Sequence, residues 1–130
     1  MNYKPILIVH GEPNSIFLEI FFKSIKYKKF KCPIILICSL KVLQYQMKKL
    51  NYKKKIKLVD YDDLKNKKLN NKFINIIDVK YNYSPKFRKI SSNSNIYINN
   101  CFKMALKILN SKITYKLING PVSKKYFLNK

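Results

Sequence analysis

Apolar residues fall along this chain in two alternating patterns, short continuous runs and longer stretches spaced by three and four. The first run, Pro5-Ile6-Leu7-Ile8-Val9, is apolar enough to be buried on both faces, which favours a strand inside a parallel sheet. A turn, His10-Gly11-Glu12-Pro13, follows. The spacing then predicts a helix from Ser15 to about Lys28, capped by Asn14 or Ser15. On it Ile16, Ile20, Phe21, Ser24 and Ile25 share one face, while Lys23 and Lys26 face water. Pro33 to Cys38 reads as a second strand, Ser39 as an N-cap, and Leu40 to Leu50 as a second helix.

Further on, Ile56–Val59 and Phe73–Val79 read as strands. A helix starting within Ser91–Asn95 and ending near Leu109 would bury Ile98, Cys101, Phe102, Ala105, Leu106 and Leu109. A last apolar run, Ile113 to Ile118, reads as a buried strand that stops at Gly120-Pro121, and a helix begins at Ser123. Strands alternating with helices predict an α/β fold, a largely parallel sheet flanked by helices, in one domain over residues 1–130. A domain rarely ends one or two turns into a helix that follows a buried strand. The sequence therefore reads as an incomplete α/β domain, the amino-terminal part of a longer chain.

Composition changes this picture little. The formal charge is +22, yet Arg88 is the only arginine, and the lysines are spread along the whole chain. Proteins that read bases or clamp phosphates favour the planar fork of arginine. Lysine, asparagine and isoleucine make up 60 of the 130 residues, as expected if an AT-rich genome sets residue choice. The charge is then mostly background, with no specific nucleic-acid partner. The best contrary feature is the interleaving of Tyr81, Tyr83 and Phe87 with Lys86, Arg88 and Lys89. It reads either as a binding patch or as a surface loop with its aromatics tucked in. No apolar run approaches a membrane span and the N-terminus is unlike a secretory signal, so the expectation is a cytoplasmic protein with no membrane partner.

Self-contained catalytic machinery is not evident. Cys32, Cys38 and Cys101 form no Cys-x-x-Cys pair, and with the lone His10 they make too few ligands for a metal. Asp60-Tyr61-Asp62-Asp63 could hold a cation or be a solvated turn; it lacks a spaced ligand set. Paired carboxylates are missing unless Glu12 and Glu19 converge. What remains is two strand-end turns, at Gly11 and Gly120, the only glycines in the chain. A strand, a tight loop and a helix N-terminus carrying lysine is how α/β proteins build anion sites.

The residues at those turns resemble a family. Ile8-Val9-His10-Gly11-Glu12-Pro13 and the helix after it look like the opening of the 4-hydroxythreonine-4-phosphate dehydrogenases of vitamin B6 (pyridoxine, pyridoxal phosphate) biosynthesis. There a strand leads into Thr-x-Gly-[Asp/Glu]-Pro-Ala-Gly-Ile-Gly-Pro-Glu. The segment from Ile90 to Lys124 resembles the same family's long helix, strand and Thr-[Gly/Ala]-Pro-[Ile/Val]-x-Lys loop, with Asn119 in place of threonine. Asn14, Ser15, Phe17 and Leu18 replace the family's small, glycine and proline positions. A turn that needs glycine would be altered at Ser15 and Phe17.

The resemblance implies the amino-terminal portion of an isocitrate/isopropylmalate dehydrogenase-like fold. It also implies a parent oxidoreductase, a homodimer, that oxidises 4-phosphooxy-L-threonine with NAD or NADP and a divalent metal, followed by decarboxylation. The substrate is a small phosphorylated amino acid. Neither metal ligands nor cofactor-binding residues are carried by this chain, and none of its residues is assigned as catalytic, so the fragment alone is expected to be inactive. Lys124 matches the family lysine and is the one candidate for substrate binding. Glu12 is expected to organise its turn rather than to catalyse. Two alternatives stand beside this reading: a small lysine-rich nucleic-acid-binding α/β domain, and a non-catalytic remnant.

Overall fold

A computed structural model describes residues 4–65, 68–82 and 92–122. Five strands form one sheet: β1 (Ile6–Val9), β2 (Ile34–Cys38), β3 (Ile56–Leu58), β4 (Ile74–Asp78) and β5 (Lys116–Asn119). Their order is β3-β4-β2-β1-β5, and every pairing is parallel. The helices are α1 (Phe17–Tyr27), α2 (Leu40–Lys49) and α3 (Ser92–Asn110), and Tyr61–Asp63 forms a short 3-10 turn. The expected α/β class and parallel sheet are both present.

Side chains alternate across the central strands, so each continuous apolar run feeds two cores. Leu7, Val9, Ile35, Ile37 and Ile77 face α3, where Tyr97, Ile98, Cys101, Ala105 and Ile108 are buried. Ile8, Ile34, Leu36, Cys38, Ile74 and Ile76 face the other way, against Leu18, Phe21 and Phe22 of α1 and Val42, Leu43 and Met47 of α2. Burying each of these large side chains contributes roughly 1.5–3 kcal/mol before the entropy of ordering is set against it.

Two helix faces differ from the sequence reading. On α1 the buried stripe is Leu18, Phe21 and Phe22, with Ile25 half-buried, while Ile16 and Ile20 are exposed. Two apolar stripes compete on this helix, and the one carrying two adjacent phenyl rings wins because it removes more surface from water. On α3 Leu106 is exposed; the buried line runs Tyr97, Cys101, Ala105 and Ile108, with Phe102 and Leu109 half-buried.

The last strand differs too. It starts at Lys116 rather than Ile113, because Thr114 leaves the ladder to donate its hydroxyl to the Pro5 carbonyl and to accept from the Lys116 N–H. Only β1 pairs with β5 among the described residues, so β5 is an edge strand and Ile118 is exposed rather than buried.

With so few glycines, two of the helices are closed by other residues in left-handed backbone, while α1 ends on Lys28 in extended backbone. Asn51 (φ 51°) ends α2, its N–H bonding the Lys48 carbonyl while that of Tyr52 bonds Met47. Lys112 (φ 63°) ends α3, its N–H bonding the Leu109 carbonyl. The Asp60 and Asp63 side chains form a reciprocal capping box around the 3-10 turn, which spends these carboxylates on backbone N–H groups.

Candidate functional site

The C-terminal ends of β1 and β5 lie side by side, with Val9 opposite Asn119. The two glycine turns therefore meet. Gly11 has φ +77°, and a Cβ there would lie 2.6 Å from the Pro121 carbonyl oxygen and 2.7 Å from the Gly120 carbonyl carbon. A Cβ on Gly120 would collide with the His10 carbonyl. Two hydrogen bonds stitch the contact: the Glu12 N–H donates to Pro121 O (2.7 Å) and the Gly120 N–H to Val9 O (2.8 Å). The only two glycines in the chain thus stand back to back, and glycine is required at each because backbone fills the space a side chain would need. The two turns form one wall.

Ser15 and Phe17 do not disturb that wall. Among the described residues, left-handed backbone occurs only at Gly11, Asn51 and Lys112, so neither Ser15 nor Phe17 stands where glycine is demanded. Ser15 closes the turn: its hydroxyl donates to the Glu12 carbonyl (2.8 Å) and accepts from the Phe17 N–H (3.3 Å). The N-cap position itself is Ile16, without a side-chain bond, so Ser15 serves the helix from one residue further out than expected. The Phe17 ring closes over Gly120, 3.0 Å from the Cβ position there.

His10 is fully buried behind the wall. Its Nδ1 lies 3.0 Å from the Tyr97 hydroxyl, which also accepts a hydrogen bond from the Ser39 N–H (2.7 Å). One phenol thereby ties the ends of β1 and β2 to α3. Nε2 is buried with no hydrogen-bond partner among the described residues. Burial pushes the imidazole pKa down to about 3, so the ring is neutral at pH 7. Burial likewise raises the Tyr97 hydroxyl and pushes the Cys101 thiol up to about 12, which leaves both protonated.

Glu12 is buried as well, at 5% exposure. Burial raises its pKa, against the opposing effect of hydrogen bonds from the Asn14 backbone and the Ser94 hydroxyl. Ser94 donates to one carboxylate oxygen at 3.4 Å, while the other, Oε1, has no partner among the described residues. Glu12 thus joins its turn to α3. Glu19 sits apart on the surface of α1, 3.6 Å from Lys23, so the two glutamates do not form a pair.

Next along the sheet, the N-terminus of α2 is held twice. Ser39 Oγ accepts from the Val42 N–H (3.3 Å), and Asp78, at the end of β4, accepts from the Leu40 N–H (2.8 Å). A cavity of about 230 Å³, lined by Lys80, Tyr81, Asn82, Tyr97 and Asn100, lies at the same end of the sheet. Tyr81 stacks on Tyr97 at 4.7 Å and is half-buried against the domain. Tyr83, Lys86, Phe87, Arg88 and Lys89 lie outside the described residues, as does Lys124.

Sequence reasoning missed Tyr97 and Ser94, the two α3 side chains that reach the wall. The series Tyr97, Cys101, Ala105 at four-residue spacing carried a signal for the first. Among the described residues no group of three or more His, Cys, Asp or Glu side chains gathers to hold a metal ion. These residues do not fit a metal site, and no chemical step is assigned to one here.

With this geometry established, the chain superposes on solved enzymes. A 4-hydroxythreonine-4-phosphate dehydrogenase from Klebsiella pneumoniae matches 97% of the chain with a TM-score of 0.80 at 16% identity. Another, from Burkholderia phymatum, matches 98% with a TM-score of 0.78 at 19% identity. The chain shares their fold. It spans 39% of the length of each. No family model matches the sequence, and no curated protein does. Among the described residues no helix is long and apolar enough to cross a membrane.

Proposed function

We propose that these residues are the amino-terminal part of an NAD(P)-dependent 4-hydroxythreonine-4-phosphate dehydrogenase, which oxidises 4-phosphooxy-L-threonine before decarboxylation. One observation carries the reading: nearly the whole chain superposes on about two fifths of such enzymes. The two motifs with family resemblance also meet at the C-terminal ends of adjacent parallel strands, where open α/β sheets bind their ligands. Among the described residues only β1 pairs with β5 and Ile118 is exposed, which supports a sheet with room for a further strand.

In this reading the fused turns are a rigid wall of the substrate cleft. Glu12 and Ser15 organise it, Gly11 and Gly120 allow its close approach, and Lys124, which matches the family lysine, meets the anionic substrate. Metal and nicotinamide cofactor belong to the remainder of the enzyme, a cytoplasmic homodimer. The described residues by themselves neither bind metal tightly nor turn over substrate. Sequencing the reading frame beyond Lys130 tests the proposal: a Gly-His-Thr segment followed by further histidines is expected. A stop codon directly after Lys130 would leave the remnant reading instead.

A further inference from the structure

In the sequence the lysines are scattered, but an all-parallel sheet brings every segment that enters a strand to the same end. Those segments are where the lysines concentrate. The stretch from Lys26 to Lys31 carries four, Lys53, Lys54 and Lys55 precede β3, Lys72 precedes β4, and Lys112 precedes β5. The six acidic side chains of the chain gather at the other end. Glu12 follows β1 and Glu19 sits in the first turn of α1; Asp60, Asp62 and Asp63 follow β3, and Asp78 ends β4. Composition sets how many lysines the chain has, not this separation, which the helix dipole favours by drawing cations to helix C-termini. The end where the strands begin therefore carries a cationic field with no acidic side chain to neutralise it.

The surface there is grooved rather than flat. A cavity of about 380 Å³ lies between the end of α1, the connector into β2 and the segment leading into β4. Lys26, Lys28, Lys29, Lys54 and Lys72 line it, with Phe30 and Phe73 half-buried in its wall. A second, more open concavity of about 500 Å³ is lined by Lys53, Lys54 and Lys55 with Met47 and Tyr52. Lys54 lines both, so the two adjoin as one track past seven lysines. Its walls are held in place. Asn71 accepts from the Ile34 N–H (2.8 Å) and donates to the carbonyls of Phe30 (3.0 Å) and Cys32 (2.8 Å), and Tyr52 stacks on Phe22 at 4.8 Å. Beside the track Tyr27 is 78% exposed, with the Lys26 ammonium 5.4 Å from its ring centre.

We propose that this lysine track binds single-stranded nucleic acid, whatever its base sequence. A single strand supplies a flexible line of phosphates for the lysines and unpaired bases to lie on Tyr27 and the ring-lined walls. A duplex hides its bases, and a flat bilayer would meet only the rims of the groove. The track lies at the opposite end of the sheet from the two glycine turns, so binding here and turnover at the cleft succeed or fail separately.

Fluorescence anisotropy of a labelled oligouridylate of about 20 nucleotides, titrated with the 130-residue chain, tests this. With about five phosphates neutralised, log affinity should fall against log salt with a slope of about −3.5. The pair Lys28→Glu and Lys53→Glu, one exposed lysine from each concavity, should lower affinity at least about tenfold. The pair Lys41→Glu and Lys103→Glu, equal in charge but elsewhere, should lower it less than about threefold. Amide NMR shifts on adding the oligonucleotide, which need no variant, should centre on residues 26–31, 52–55 and 71–73. Vesicles of phosphatidylcholine and phosphatidylserine, or duplex RNA, should compete more weakly than unlabelled single strand at equal anionic charge. No binding at low salt, equal loss in both lysine pairs, shifts centred elsewhere, or equal competition by vesicles or duplex would each overturn the assignment.

Discussion

The His10 carbonyl fills the space in which a side chain at Gly120 would begin. The neighbouring Gly11 adds a positive φ and backbone 2.6 Å from where a Cβ would lie, so the wall cannot be built with any other residue at either turn. Gly120→Ala should therefore cost about 3 kcal/mol or more, with Gly11→Ala in the same range. Urea unfolding measures both. A loss below about 0.5 kcal/mol at either position would show that the turns do not meet as described.

His10 is the only histidine, so its titration can be followed without overlap. Its folded pKa, about 3, lies below the ordinary imidazole value of 6.5, so between these values the unfolded chain binds the extra proton. Stability is then fully present above about pH 6.5 and falls with acid by up to about 1.4 kcal/mol per pH unit in that window. Glu12, with its raised pKa, works the other way: its contribution is present in acid and lost as pH rises through the folded value. The imidazole proton resonances of the folded chain should stay fixed from pH 8 down to acid unfolding. A titration near pH 6.5 in the folded state would contradict the burial.

Tyr97→Phe should remove the group that joins His10 to Ser39. The Ser39 N–H would be left buried without an acceptor, at a cost of about 1–3 kcal/mol. The loss should not add to that of His10→Phe, because the two side chains share one bond. Additive losses would dissolve the proposed tie between the strands and α3.

Thiol chemistry separates the cysteines. Cys38 and Cys101 are buried with raised pKa values, whereas Cys32 is half-buried, with Lys116 Nζ 3.4 Å from its sulfur. Only Cys32 should react readily with a thiol reagent in the native protein, and all three cysteines should do so in denaturant. Fast native labelling of Cys101 would place α3 elsewhere.

How much of this was legible in the sequence follows from the physics of each part. Ile34–Cys38 announces itself because a strand buried on both faces needs an unbroken apolar run, and Ile74–Asp78 stays legible although Asn75 interrupts its isoleucines. The face of α1 was ambiguous, since Ile16 and Ile20 offer as regular a stripe as Leu18 and Phe22; only the sheet beneath decides. Ser39 as N-cap was readable from its local pattern, and it is the cap. The partnerships of His10 with Tyr97 and Glu12 with Ser94 span most of the chain, and no local spacing encodes them. Glycine was the better guide: two in the whole sequence, both placed where backbone meets backbone.

The most direct test of the central claim is an assay of the complete reading frame that contains these residues. The purified product should reduce NAD(P)+ in the presence of 4-phosphooxy-L-threonine, and Lys124→Ala should lower kcat/KM by about a hundredfold, as loss of a charged substrate contact would. The 130-residue chain alone should give no turnover. A folded full-length product with no substrate-dependent reduction, or turnover by the fragment alone, would contradict the account.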